Sequence, residues 1–324
     1  MRPLLPGAAL LAFLWAASPL AAEVLNISYV KSPFNLQMIV MKERGFLEKE
    51  LAPSGVTVKW SEINIGTRQA QALATGDLDV AGVINTSSVI IARSEGYPIK
   101  IIAGVARPSD IFALVAKKDG PASVKDLKGK IVAGPKGTVL HHLLAVALQK
   151  EGLGLTDVRI LPMDIPQASA ALLSGRVDAA LLAANAVIAA QKEGARVLTT
   201  AKGLVEPKLV MAANEKFIAG HPDRIKAVIA AHDRAWQWIA ENHEEAVALG
   251  AGVQGLDAEE AERLFTWSHF TQRLNISDIS GLEADMRFML ETGMMRNEID
   301  IRDLFLPPAL EEAAPGRDGH GREQ

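Results

Sequence analysis

Hydrophobic and polar positions change their period repeatedly along this chain, and each change marks an element. Leu25-Asn-Ile-Ser-Tyr-Val30 alternates and predicts a strand. Ser32-Pro33 predicts a helix start, with Ser at the cap and Pro where its missing N–H costs nothing. That helix turns Phe34, Met38 and Met41 inward and stops at Gly45. Val56 to Trp60 reads as a second strand. A helix opening at Gly66-Thr67 buries Ala70, Leu73 and Ala74 and closes at Gly76. Leu78 to Ile84 is a buried strand, Asn85 to Ser88 caps a helix ending at Gly96, and Ile99 to Val105 returns to strand.

The second half of the pattern repeats the first. Ile131-Val-Ala133 reads as a strand end, Gly134-Pro-Lys-Gly137 breaks it, and Thr138 opens a helix closed by Gly152. Leu140, Leu143, Leu144, Ala147 and Leu148 recur on one face of that helix. Ala72 to Ala81 also lines up with Ala171 to Ala180, 99 positions later; each copy predicts a helix, a glycine stop and a buried strand. Ile111 to Ala116 and Lys208 to Ala213 are strands placed to cross between the two halves. After Asn214 only helical patterns follow: from Pro222, over Ala246 to Gly250, over Ala258 to Trp267, and over Gly281 to Thr292.

Strands alternating with helices predict an α/β protein whose sheets are mostly parallel and flanked by helices. The repeat makes two such lobes with a ligand cleft between them, which would close around a solute by bending at the crossings near Ser109 to Phe112 and Pro207 to Ala212. The expected division is a leader over 1–22, a first lobe over 23–109 and 213–312, a second over 110–212, and a disordered tail over 313–324. Ligands of such sheets sit beyond the carboxyl ends of the strands. That places the chemistry in three loops: Lys31-Ser32, Asn85-Thr86-Ser87-Ser88, and Gly134 to Thr138. The last runs from a strand into a helix start, where unpaired N–H groups and the helix dipole favour an anion. Asp79 and Asp178, paired by the repeat, stand at strand starts, the wrong sheet end for a ligand, and read as structural.

Composition narrows the function. The chain has 324 residues, is 49% hydrophobic, carries a net charge of −4 and contains no cysteine. Without a basic field nucleic acid is an unsuitable partner, so an anion site must be built from amides and hydroxyls. Arg2, the apolar block Ala8 to Ala17 and Ser18-Pro-Leu-Ala-Ala22 read as a cleaved secretory signal, too short to span a membrane. No nucleophile–base pair, dinucleotide loop or zinc motif is visible; no catalytic residue, cofactor or metal is expected. His141 and His142 are adjacent on a helix and point about 100° apart, which rules out joint chelation.

Several motifs in order carry a resemblance: Gly45-Phe-Leu-Glu-Lys-Glu50, Ala72-Leu-Ala-Thr-Gly-Asp-Leu-Asp79, Ser123-Val-Lys-Asp-Leu-Lys-Gly-Lys130, Lys136-Gly-Thr138 with His141, Gly175-Arg-Val-Asp-Ala179 and Gly194-Ala-Arg-Val-Leu198. From about Val24 to about Phe305 the chain resembles the periplasmic binding proteins of sulfonate, taurine and nitrate ABC importers. The resemblance implies a monomer that captures a small anionic solute in the periplasm and delivers it to an inner-membrane ABC permease. An aliphatic sulfonate is the expected ligand; nitrate, taurine, a carboxylate or a pyrimidine, taken up for import or sensing, are alternatives. A thiamin-pyrimidine-synthesis-like enzyme of the same fold is a further one, which the secretion signal opposes. The acidic group is expected against the N–H groups of Gly137, Thr138 and Val139 and the Thr138 hydroxyl, with His141 at the family's histidine position. Thr86 or Ser87 would reach it from the opposite lobe, and Asn185 would be the polar contact on a wall of small residues, Ala179 to Ala184.

Overall fold

The computed structural model describes residues 23–30 and 34–311. The expected leader and tail, and the candidate site residues Lys31 and Ser32, lie outside the described residues. The first stretch runs β1 (Val24–Tyr29), α1 (Leu36–Glu43), α2 (Phe46–Leu51), β2 (Thr57–Glu62), α3 (Gly66–Thr75), β3 (Val80–Asn85), α4 (Thr86–Ser94) and β4 (Ile99–Ala106). The middle runs β5 (Phe112–Ala116), β6 (Ile131–Gly134), α5 (Val139–Lys150), β7 (Arg159–Pro162), α6 (Ile165–Leu173), β8 (Ala179–Ala183), α7 (Asn185–Lys192) and β9 (Arg196–Thr200). Then follow β10 (Leu209–Asn214), α8 (Glu215–Gly220), α9 (Pro222–Glu241), α10 (His243–Gln254), α11 (Ala258–Ser268), β11 (Leu274–Asn275), α12 (Asp278–Glu291) and β12 (Leu310–Glu311). The helix expected from Ser32-Pro33 is seen from Leu36, with Asn35 in the cap position.

The strands form two five-stranded sheets of the same design. The first has the order β2-β1-β3-β10-β4 and the second β7-β6-β8-β5-β9. In each, one strand, β10 or β5, runs antiparallel between parallel neighbours. These are the two crossing strands. Residues Leu209 to Ala212, expected on the second lobe's side of the boundary, already pair in the first sheet, so the return crossing falls before Leu209. β5, β8 and β10 are buried along their whole length. Helices cover both faces of these strands, which is why they read as apolar runs without alternation.

The repeat is visible in the bonding. Asp79 Oδ2 accepts from the Asn26 N–H at 2.7 Å, and Asp178 Oδ2 accepts from the Ile131 N–H at 3.0 Å. Each carboxylate joins the start of a central strand, β3 or β8, to its parallel neighbour, and the bond from Ile131 holds the Asp178 carboxyl below the usual carboxylate range. Both aspartates are structural.

The helices after Asn214 return to the first sheet's side. α9 packs on α1 and α2, α10 on α1 and α12 on α4, while Phe305 bridges to Ile101 in β4. β11 and β12 pair in parallel, a small strand pair where only helix was expected. Asp278, the first residue of α12, ties both crossings together. It takes both guanidinium nitrogens of Arg107 at 2.8 and 2.7 Å, and Lys208 Nζ stands 3.9 Å away.

Candidate functional site

The carboxyl ends of the two sheets face each other, and four helix starts converge between them. α3 begins at Gly66, α4 is capped by Asn85, α5 begins at Val139 behind Thr138, and α6 begins at Ile165. All of these residues line one cavity of about 40 Å³. Phe112 and Leu209, the first residues of the two crossing strands, also line it, with apolar walls from Val30, Val83, Ile84 and Leu140. Among the described residues, no residue that lines it is charged. A helix start carries roughly half a positive elementary charge, on N–H groups that have no partner within the helix itself. The dipoles at the starts of α3, α4 and α5 therefore favour an anion there, while the Asp164 carboxylate, which caps α6 through the Gln167 N–H at 2.9 Å, offsets that of α6. At about 40 Å³ the cavity holds no organic anion, so entry of one requires the walls to part.

Asn85 and Ser88 close this cavity from the first sheet's side. Asn85 Oδ1 accepts from the Ser88 N–H at 2.9 Å, capping α4, and from the Val139 N–H at 3.1 Å, across the cleft. Ser88 Oγ donates to the Gly137 carbonyl at 2.9 Å. Gly66 makes the approach possible, because a Cβ there would stand 2.6 Å from Ser88 Oγ and 2.9 Å from Asn85 Nδ2. The residue that the repeat pairs with Asn85 is Ala184, which cannot cap. It adopts φ 49, outside the usual range of a residue with a side chain, and its N–H donates to Ile111 O at 2.8 Å. At this paired position only the first copy of the repeat supplies a side-chain acceptor to the cleft.

The other expected site residues divide. Thr138 and Val139 line the cavity, but the Thr138 hydroxyl donates to Pro135 O at 2.8 Å, within its own loop, and not into the cleft. Thr86 and Ser87, expected to reach across, are buried in α4; the Thr86 N–H donates to Lys208 O at 3.0 Å. Ser88 takes the reaching role because it lies on the α4 face turned to α5. Gly137 and His141 line an outer groove together with Lys136 and Glu95. His141 Nδ1 accepts from the Gly137 N–H at 3.3 Å, and burial, aided by the charge of Lys136, lowers its pKa to about 4. It is a neutral loop brace. His142 packs its ring 5.0 Å from that of Phe288. Lys136 is exposed and lines outer grooves, away from the cavity. Asn185 lines a different, larger cavity beside Tyr29 and α1.

Sequence reasoning missed Asn64, Gly66 and Ile165. They follow β2 and β7, the edge strands, whose carboxyl-end loops obey the same rule as those of the central strands. Among the described residues no group of three or more His, Asp or Glu side chains could hold a metal, and no helix is long and apolar enough to cross a membrane.

Two sheets joined by paired crossings, with a cavity of helix starts between them, define the periplasmic binding-protein fold. A solved alkanesulfonate-binding protein from Xanthomonas axonopodis pv. citri, bound to MOPS, matches with a TM-score of 0.77 over 90% of this chain and all of its own, at 23% identity. The chain belongs to the NMT1/THI5-like family, whose model matches residues 33–246. A Bacillus subtilis (strain 168) protein named for binding aliphatic sulfonates is 30% identical over 294 residues, 87% of each chain. An Escherichia coli (strain K12) protein named in the same way is 30% identical over 245 residues, 75% of each.

Proposed function

We propose that this chain is a periplasmic solute-binding protein that captures an aliphatic sulfonate and delivers it to an inner-membrane ABC permease without changing it chemically. The observation that carries the reading is the cavity where the starts of α3, α4, α5 and α6 converge, lined among the described residues by no charged side chain. Amide donors and helix dipoles suit a group that stays ionised at every physiological pH and offers three acceptor oxygens. The relatives named for sulfonate binding support the same ligand class. In this reading the leader over 1–22 is removed on export and the protein acts as a monomer. The lobes divide near residues 107–111 and before Leu209 and hinge there, with Arg107, Asp278 and Lys208 holding the two crossings together as the cleft opens.

The test is a thermal-shift and calorimetric screen of the mature protein against alkanesulfonates, taurine, nitrate, carboxylates and pyrimidines. Sulfonates should raise the melting temperature by mass action and come back unaltered. A panel in which only a carboxylate or a pyrimidine binds, or in which any solute is turned over, would refute the reading.

A further inference from the structure

Beside the anion cavity lies a second one of about 320 Å³, lined in part by Asn185, and Val30 is a wall common to both. Its volume is at the lower end of the range for small-molecule pockets, about 300–1,000 Å³. We propose that it receives the tail of the ligand, and that the ligand is a sulfonate with a ring-sized tail bearing a hydrogen-bond donor, not a short alkanesulfonate. This rests on the sulfonate reading above and deepens it.

Three observations point there. The cavity has an apolar body, made by Met38 and Ile39 of α1, the Tyr29 ring, and Val253, which is 51% exposed at the rim. Val253 thus forms an apolar rim that a ligand tail in the cavity would cover. Among the described residues the lining holds one ammonium, Lys42 Nζ, and it is already engaged, 2.8 Å from Glu43 Oε1 and 5.4 Å from the centre of the Tyr29 ring. Lys42 is therefore not left free to demand a second anion. Finally, Gln254 Oε1 is a buried acceptor without a hydrogen-bond partner. An unpaired buried acceptor is costly, and an N–H or O–H on the tail would satisfy it. The lining comes from α1, from the start of α7 and from the end of α10, so the C-terminal helices contribute directly to ligand choice.

Calorimetry at low salt with three probes tests this: ethanesulfonate, MOPS and 3-phenylpropanesulfonate. MOPS, with a ring and a protonated amine, should bind more tightly than ethanesulfonate by roughly tenfold or more, the scale of a few buried methylenes. Val253→Trp, an exposed site that tolerates bulk, should reduce that ratio by roughly tenfold by filling the tail cavity. Gln254→Leu should weaken MOPS more than 3-phenylpropanesulfonate, whose tail has no donor. Equal affinities for ethanesulfonate and MOPS, or a ratio indifferent to both substitutions, would overturn the tail site while leaving the sulfonate reading standing. If none of the three sulfonates binds, the sulfonate reading fails and the tail site fails with it.

Discussion

The Asn85 carboxamide oxygen sits 3.1 Å from the Val139 amide nitrogen, so a side chain from the first sheet accepts from the helix start that the sequence marks for an anion. The same oxygen caps its own helix through Ser88. Asn85 thus presents a neutral acceptor where an incoming sulfonate oxygen would need to bind. In the proposed function, opening of the cleft and arrival of the ligand would thereby be coupled: the Val139 N–H would exchange one acceptor for another without passing through an unpaired state.

Asn85→Asp places a full negative charge in that position. The charged cap should keep or raise the melting temperature of the ligand-free protein, since acidic caps at helix starts contribute about 0.5–2 kcal/mol. Like charge in the same nest should weaken sulfonate binding by roughly a hundredfold or more, on the scale of a lost charge-assisted hydrogen bond joined by repulsion. Titration calorimetry beside a melting curve checks both halves. Sulfonate affinity equal to that of the unsubstituted protein would show that Asn85 does not stand in the anion's place.

Lys136→Ala separates amides from point charge. Lys136 is exposed and lines outer grooves only, so its loss should change sulfonate affinity by less than about threefold, the range of an exposed charge. Affinity should also vary little with added salt, because the donors are dipoles in a buried cavity and not a screened surface charge. Binding measured at low and high ionic strength decides the matter; a steep loss in either experiment would return the lysine to the site.

Acid should destabilise the fold through its buried histidines. His232 is fully buried, both ring nitrogens lack partners, and burial lowers its pKa from 6.5 to about 4. The unfolded chain takes up that proton below 6.5 while the folded chain refuses it until about 4. The stabilisation is therefore complete above 6.5 and is lost as pH falls toward 4. Asp285 works the other way: burial raises its pKa to about 6, against the opposing pull of Lys208, so its cost is relieved as pH falls from 6 toward its ordinary value. His232→Leu should flatten the acid limb, gaining more stability at about pH 5 than at about pH 7.5, as read from urea unfolding at the two values. Equal gains at both would assign the histidine no part in acid sensitivity.

The strand–helix alternation, the repeat and the two crossings were legible because each rests on local chemistry: apolar runs, glycine stops and polar caps. Gly76 and Gly175 occur at matching places and both adopt a left-handed conformation, φ 82 and 73, that a glycine tolerates without strain. The turn from β6 through Gly134 to Thr138 into α5 was legible for the same reason. What the sequence could not show was which residues meet across the cleft. Ser88 reaches Gly137, and Thr86 and Ser87 do not, because of the rotation of α4 about its axis, which packing decides. Asn185, expected as the polar contact on the second lobe's wall, lines the neighbouring cavity, because the chain turns at the uncapped Ala184 before α7 begins.

The position of β10 also has a consequence for the order of assembly. β4 is hydrogen-bonded to β10 and not to β3, so the first sheet has a gap until residues 209–214 arrive to fill it. The second sheet has no such debt, since β5 to β9 form one continuous stretch of chain. During synthesis the middle of the protein can mature alone, while the amino-terminal part stays open until the later strand emerges from the ribosome. A chain built in this way keeps its amino-terminal region unlocked for most of the time it is being made.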